Sequence, residues 1–260
     1  MGGERKKVLF FSKSAGFEHE TIKRGDQPLS PVEKLLEAWC PEQGYEVACS
    51  KDGSLFSADY LAQFDVFVFC TTGKLDEVGT DGQPAFPAGG KQALLDAIAG
   101  GKGFIGVHNG SDTFHGDGVV DPYIAMLGGE FLTHGAQQNA TQQLVDPAFP
   151  GLGDLPASFV SHDEWYCQKN VAGDLHAIVL QSTDGMTGAM YEGKPPIPSV
   201  WARQQGQGRV FYISMGHRPD NWEAAYFLQV FKAGLDWAAG KTEADVSPNL
   251  KAVAPEVETV

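Results

Sequence analysis

Residues 101–116 read GKGFIGVHNGSDTFHG. A short apolar run ends in Gly106-Val107-His108-Asn109-Gly110. This is the G-x-[Ser/Cys]-x-G frame in which many α/β hydrolytic enzymes hold a nucleophile on a strand-to-helix elbow, here with histidine at its centre. Imidazole can serve as a base, a weak nucleophile or a metal ligand. His217 stands at the end of another strand-like run, GRVFYISMG, and His19 follows KVLFFS by the loop SAGFEHE. His134 lies in FLTHG, His115 in the loop after His108, and His162 in SHDEWY. Only His176 sits inside a strand-like run. In an open parallel sheet, ligands bind at the carboxyl ends of the strands, so histidines from separate strands can meet on one rim.

Acids and aromatics accompany them. Glu164 and Asp163 precede Trp165-Tyr166; either carboxylate could be a base or orient a histidine, or both could be a solvated loop pair. Asp112, four residues after His108, reads equally as a helix-start acid or as a catalytic carboxylate. Trp165, Tyr166 and Trp222 offer flat faces with a polar tip, which suit a sugar ring as well as they suit a core.

The elements that must position these groups follow from patterning. KVLFFS (7–12), YEVACS (45–50), FDVFVFC (64–70) and GFIGVH (103–108) read as strands, mostly apolar throughout as in a sheet covered on both faces. Pro31 opens a helix over 31–44, and 89–99 forms a second that stops at Gly100-Gly101. This β-α-β-α-β order predicts an α/β fold, a mostly parallel twisted sheet with helices on both faces, of the flavodoxin-like three-layer kind. The second half predicts a short helix at YIAMLGGEF, an edge strand at 139–145, a Pro/Gly-rich loop at PAFPGLGDLPASF and strands at 176–182, 199–204 and 208–216. A long apolar-faced helix, WEAAYFLQVFKAGLDWAAG, closes it. One domain over 7–240 is expected, with 130–205 forming the pocket wall. Residues 1–6 read as a disordered lead or tag remnant, and 241–260 as an extended, loosely held tail.

Net charge is −14, spread along the chain, which opposes nucleic-acid binding. No apolar run approaches the ~20 residues that span a bilayer. Without a signal peptide a cytoplasmic protein is expected; a trimmed signal would make it periplasmic or exported. Cys40, Cys49, Cys70 and Cys167 form no C-x-x-C pair and read as buried small hydrophobes. The expected partner is a small-molecule sugar, with a homo-oligomer left open.

Taken together, KVLFFSKSAGFEHETI, GKGFIGVHNGSDTFHG, MLGGEFLTHG, SHDEWY and GRVFYISMGHRPDNW…FLQVFKAGLDWAAG resemble the ThuA-like (trehalose utilisation) family, from about Lys7 to Gly240. The resemblance implies a class I glutamine amidotransferase-like fold, whose elbow cysteine and later histidine match His108 and His217. Imidazole cannot form a glutamyl thioester, so an amidotransferase reaction is not expected. Ser111 and Ser14 have no elbow frame as substitute nucleophiles.

The resemblance also implies carbohydrate metabolism alongside sugar dehydrogenases that make keto sugars. A 3-keto group acidifies the C2 proton, so a base could drive elimination of the glycosidic oxygen, followed by hydration, or an isomerisation. The expected roles are His108, His217, Glu164 and Asp112 as catalytic residues, and His19, Asp163, His134, Trp165, Tyr166 and Trp222 as substrate-binding ones. No cofactor is certain. His19, His108 and His217 with an open position would make a zinc-type set for a divalent metal. The alternative is a non-catalytic sugar-binding or scaffolding domain.

Overall fold

The computed structural model describes residues 5–116 and 118–260. Residues 1–4 of the expected lead lie outside the described residues, and the first strand already starts at Lys6. The first half runs β1 (Lys6–Phe11), α1 (Pro31–Glu42), β2 (Tyr45–Ser50), α2 (Ala58–Leu61), β3 (Val66–Phe69), α3 (Gly90–Ala99) and β4 (Gly103–Val107). These four strands lie parallel in the order β2-β1-β3-β4. The inner strands β3 and β4 and the body of β1 are apolar because both faces are covered, whereas the edge strand β2 carries Glu46 and Ser50 and is only partly buried. Val8 and Phe10 of β1 join one core, with Leu36 of α1; Leu9 and Phe11 join the other, with Leu94 of α3. α1 begins in a capping box, Ser30 and Glu33 each satisfying the other's backbone N–H, with Pro31 in the first turn.

The second half holds α4 (Pro122–Leu127), β5 (Glu130–His134), β6 (Gln138–Leu144), β7 (Ser158–Asp163), β8 (Tyr166–Lys169), β9 (His176–Gln181), β10 (Ile197–Gln205), β11 (Gly208–Ile213), α5 (Pro219–Glu223), α6 (Ala225–Ala238) and α7 (Leu250–Val253). β11 returns to pair in parallel with β4. Beyond it β10, β9, β6 and β7 follow antiparallel, completing one nine-stranded sheet. β5 and β8 form a separate antiparallel ribbon. The α/β three-layer class expected from the sequence is the observed one. Among the described residues no helix is long and apolar enough to cross a membrane.

Four local expectations are corrected. β6 is not the sheet edge: β7 covers it, built partly from residues assigned to the Pro/Gly-rich loop. The ribbon β5–β8 was not expected, because short strands rich in polar residues carry little periodic signal. The closing helix is broken at Ala224, whose extended backbone (ψ 135°) separates α5 from α6. The tail is docked. Asn249 brackets Ala177, its side chain accepting from the backbone N–H and donating to the carbonyl, while Leu250, Ala254 and Val257 are buried.

Candidate functional site

His108 follows β4 with its backbone in the left-handed region, φ 43°. A non-glycine residue is seldom held there, and such strain gathers at functional sites. The chain then coils through a 3-10 turn, His108–Asp112. Gly110 fits closely in that turn, where a Cβ would stand 3.1 Å from the Phe69 carbonyl oxygen. The elbow is therefore formed, with an imidazole at its apex. His108 Nδ1 donates to the Ser214 carbonyl at 2.8 Å. A carbonyl can only accept, so the neutral ring carries its lone pair on Nε2. That atom is buried and has no hydrogen-bond partner among the described residues.

His19 arrives from the loop after β1 and His217 from the loop after β11. The three rings form a nearly equilateral set. Centroids are 5.2 Å apart for His19–His108, 5.0 Å for His19–His217 and 5.2 Å for His108–His217, with planes crossed at 80° to 86°. Glu164, from the corner between β7 and β8, completes the group. One donor atom from each of the four residues lies within 4.8 Å of all the others. Glu164 Oε2 stands 3.1 Å from His217 Nδ1 and 3.7 Å from His108 Nε2, and Oε1 stands 3.3 Å from His134 Nδ1. The approach to His217 is close but poorly directed, and His217 Nδ1 makes no hydrogen bond.

The electrostatics separate the two kinds of group. Burial pushes the His19 pKa down to about 2, helped by His108 and His217, so this ring is neutral. Burial alone would raise the Glu164 pKa, but His108 and His217 outweigh it and hold the carboxyl well below the usual carboxylate range. The site therefore combines an anionic carboxylate with a neutral His19 imidazole. It opens on the side of Glu164 and His217, whose side chains are 11% and 18% exposed.

Around this centre lie residues that fix it. The Cys70 thiol donates to Asn109 Oδ1 at 2.9 Å, which places Asn109 Nδ2 3.3 Å from His19 Nδ1. Tyr166 packs its ring 4.1 Å from that of His108 and sets its hydroxyl 3.4 Å from His19 Nε2. His134 stands on the exposed rim. Phe17, missed in the sequence reading, is 67% exposed and meets His19 edge-on at 5.0 Å. Its only signal was its place two residues before His19.

Four expected substrate contacts are corrected. Tyr166 is buried, its ring packed against those of His108 and Phe131. Asp163 is fully buried: Oδ2 accepts from Gly216 N (2.7 Å), and Oδ1 accepts from Glu164 N (2.9 Å) and Arg218 N (3.3 Å). It ties the Glu164 corner to the His217 loop and has no face for a ligand. Trp165 is buried and donates to the Gln138 carbonyl. Trp222 is buried and donates to the Gly216 carbonyl. Both are packing residues that shape the site from behind. Asp112, expected to be catalytic, lies outside the four-residue group and holds His115, Oδ1 to Nε2 at 3.0 Å. That bond raises the His115 pKa despite partial burial. A line of rings, His115–Phe131–Tyr166–His108, separates this pair from the centre.

The remaining nucleophile candidates are buried or engaged, Ser14 being fully buried. Ser111 Oγ donates to the His108 carbonyl (3.3 Å) and lies 2.9 Å from the Tyr212 hydroxyl. Burial pushes the thiols of Cys40, Cys49 and Cys70 up to about 12 and that of Cys167 to about 11, far from a reactive thiolate.

Comparison with known proteins places these features in context. The family model ThuA, trehalose utilisation, matches residues 7–238. A putative ThuA-like protein from Bacteroides uniformis superposes with a TM-score of 0.70 at 17% identity, covering 95% of this chain and 96% of that one. One from Parabacteroides merdae gives 0.68 at 14% identity, covering 93% of each chain. β-Galactosidase from Bacillus circulans is similar over 94% of this chain but only 32% of its own, with a TM-score of 0.51 at 13% identity. At these identities the likeness is one of fold. A search of curated protein sequences finds no match.

Proposed function

This chain belongs to the ThuA (trehalose utilisation) family, and from that premise we propose that it is an enzyme acting on a keto sugar, cleaving or isomerising a 3-keto-disaccharide or 3-keto-glucoside. The family role is carbohydrate-related. The observation that carries the finer reading is the convergence of His19, His108, His217 and Glu164 on one partly open centre at the carboxyl ends of the strands.

The reaction follows from the chemistry of the substrate. A ketone at C3 makes the C2 proton acidic. Glu164 takes that proton, and the C2–H electron pair moves into the enolate. The enolate then expels the glycosidic oxygen by breaking C1–O, and the departing oxygen gains a proton. Water adding across the resulting C1=C2 bond completes a net hydrolysis; returning the proton elsewhere on the enolate gives an isomer. Acid–base help of this kind contributes about 10²–10⁴-fold. His134, 3.3 Å from Glu164 Oε1 on the rim, is placed to exchange protons with it. Phe17 offers an exposed ring face on which a sugar would rest.

The test is incubation with 3-keto-trehalose and 3-keto-glucosides while sugar release is followed. Release by the wild type and its loss in Glu164→Gln support the reading. Absence of turnover, with keto sugar binding retained, would identify a sugar-binding domain instead.

A further inference from the structure

We propose that His19, His108 and His217 hold one divalent cation of the zinc type, with Glu164 beside it and a coordination position open toward solvent. This rests on the reaction proposed above and supplies what that reaction lacks, an electrophile for the enolate oxygen.

The argument begins with hydrogen-bond donors. An enolate needs N–H or O–H groups, or a cation, aimed at its oxygen. The trio offers few N–H groups. The Nδ1–H of His108 is committed to the Ser214 carbonyl at 2.8 Å, so Nε2 faces the centre as a lone pair. It is buried without a partner, as is His217 Nδ1. Leaving two ring nitrogens orphaned in the interior is costly unless something else satisfies them. A cation accepts lone pairs and meets that need.

The geometry agrees. Three imidazoles about 5 Å apart, with planes crossed near 80°, surround a common point as the blades of a propeller do. Donor atoms within 4.8 Å of one another surround a point that each ring must approach more closely to reach metal–nitrogen distances of about 2.0–2.1 Å. The surroundings are those of a metal-binding histidine set. The Ser214 carbonyl fixes the His108 tautomer, Asn109 Nδ2 stands 3.3 Å from His19 Nδ1, and Asp163 pins the backbone on either side of His217. Three imidazoles are neutral ligands, and the Glu164 carboxylate supplies compensating negative charge. Glu164 reaches from the centre to His134 on the rim, which leaves it on the open side as the base. Imidazole ligands suit zinc, and also cobalt, nickel and iron.

The experiment uses the full-length protein stripped with a chelator, dialysed and titrated with Co²⁺ and Zn²⁺. The expected result is one equivalent bound, with visible d–d bands of tetrahedral or five-coordinate cobalt that Zn²⁺ displaces. His108→Asn and His217→Gln should each weaken binding at least 100-fold. Glu164→Gln should retain the cation and the bands while losing turnover. Circular dichroism and the melting temperature of each variant separate lost binding from lost folding. No saturable binding by folded wild type would overturn the proposal, as would unchanged binding in both histidine variants. Loss of the cation in folded Glu164→Gln would overturn the assignment of an open position. The two readings fail separately: a cation bound without keto sugar turnover removes the reaction, and turnover by metal-free protein removes the cation.

Discussion

His108 Nδ1 donates to the Ser214 carbonyl across 2.8 Å, and this bond joins the ends of β4 and β11 while deciding which ring nitrogen faces the centre. His108→Asn retains a residue that tolerates left-handed backbone but lacks the inward lone pair. Turnover of a 3-keto-glucoside should fall by about 10²–10⁴-fold, while the melting temperature shifts by only a few degrees. Steady-state kinetics alongside thermal melts check this; wild-type turnover in the variant would remove His108 from the chemistry.

Asp163 acts through its neighbours. Its carboxylate accepts from the backbone of Gly216, Glu164 and Arg218, so Asp163→Asn turns one acceptor into a donor facing N–H groups. The expected cost is about 1–3 kcal/mol of stability, together with a fall in kcat of about 10–100-fold. KM should change little, because the side chain touches no ligand. Denaturant unfolding and kinetics together test it, and a rise in KM with kcat unchanged would contradict the assignment.

The two kinds of aromatic residue should separate cleanly. Phe17→Ala removes an exposed ring beside His19 and should raise KM for the sugar while leaving the melting temperature unchanged. Trp222→Ala empties a buried site and should cost about 3–5 kcal/mol. Thermal melts and KM values for the two variants provide the comparison.

Glu33 links the fold to pH. It is fully buried, and although burial opposes this, bonds from Arg24, the Ser30 backbone and Ser12 depress its pKa below the ordinary 4.5. A carboxyl with a depressed folded-state pKa stabilises the fold above its unfolded value and loses that contribution as pH falls through the folded one. Urea unfolding should therefore show stability declining below about pH 4.5, with a shallower decline in Glu33→Gln. Glu33→Ala should cost about 3 kcal/mol at pH 7, since it leaves Arg24 without its buried partner. Equal acid slopes in wild type and Glu33→Gln would refute the linkage.

The docked tail gives a further check. Leu250→Ala should lose about 2–3 kcal/mol, and Asn249→Ala about 1–3 kcal/mol through the two orphaned backbone groups of Ala177. Neither should alter kcat, because both lie away from the histidine cluster. A melting temperature unchanged in both would mean that the tail adds nothing to stability.

The parallel half of the fold was legible because its strands are short, mostly apolar and punctuated by helices with clear caps, as Ser30-Pro31 and Gly100-Gly101 show. The rim rule then brought His19, His108, His217 and Glu164 to one end of the sheet. What the sequence hid was orientation. Trp165 and Trp222 flank the polar residues in the chain, yet their indole N–H groups are taken by backbone carbonyls and their faces by the core. Asp163 and Glu164 are adjacent and chemically alike, but on leaving β7 one turns inward to backbone N–H groups and the other toward imidazoles. A one-residue difference in direction is set by tertiary packing, and periodicity does not report it. The ribbon β5–β8 was equally silent, because its polar residues face partners far away in the sequence.

The seam between β4 and β11 has a consequence for how activity arises. His19 and His108 belong to the first half of the polypeptide, Glu164 and His217 to the second, and β11 must slide in beside β4 before the quartet exists. During synthesis the amino-terminal half can collapse early around neighbouring strands, but it remains chemically mute until residue 217 has emerged and docked. Completion of the quartet is thus a late event that requires the whole sheet, and a truncated or half-folded product would lack it.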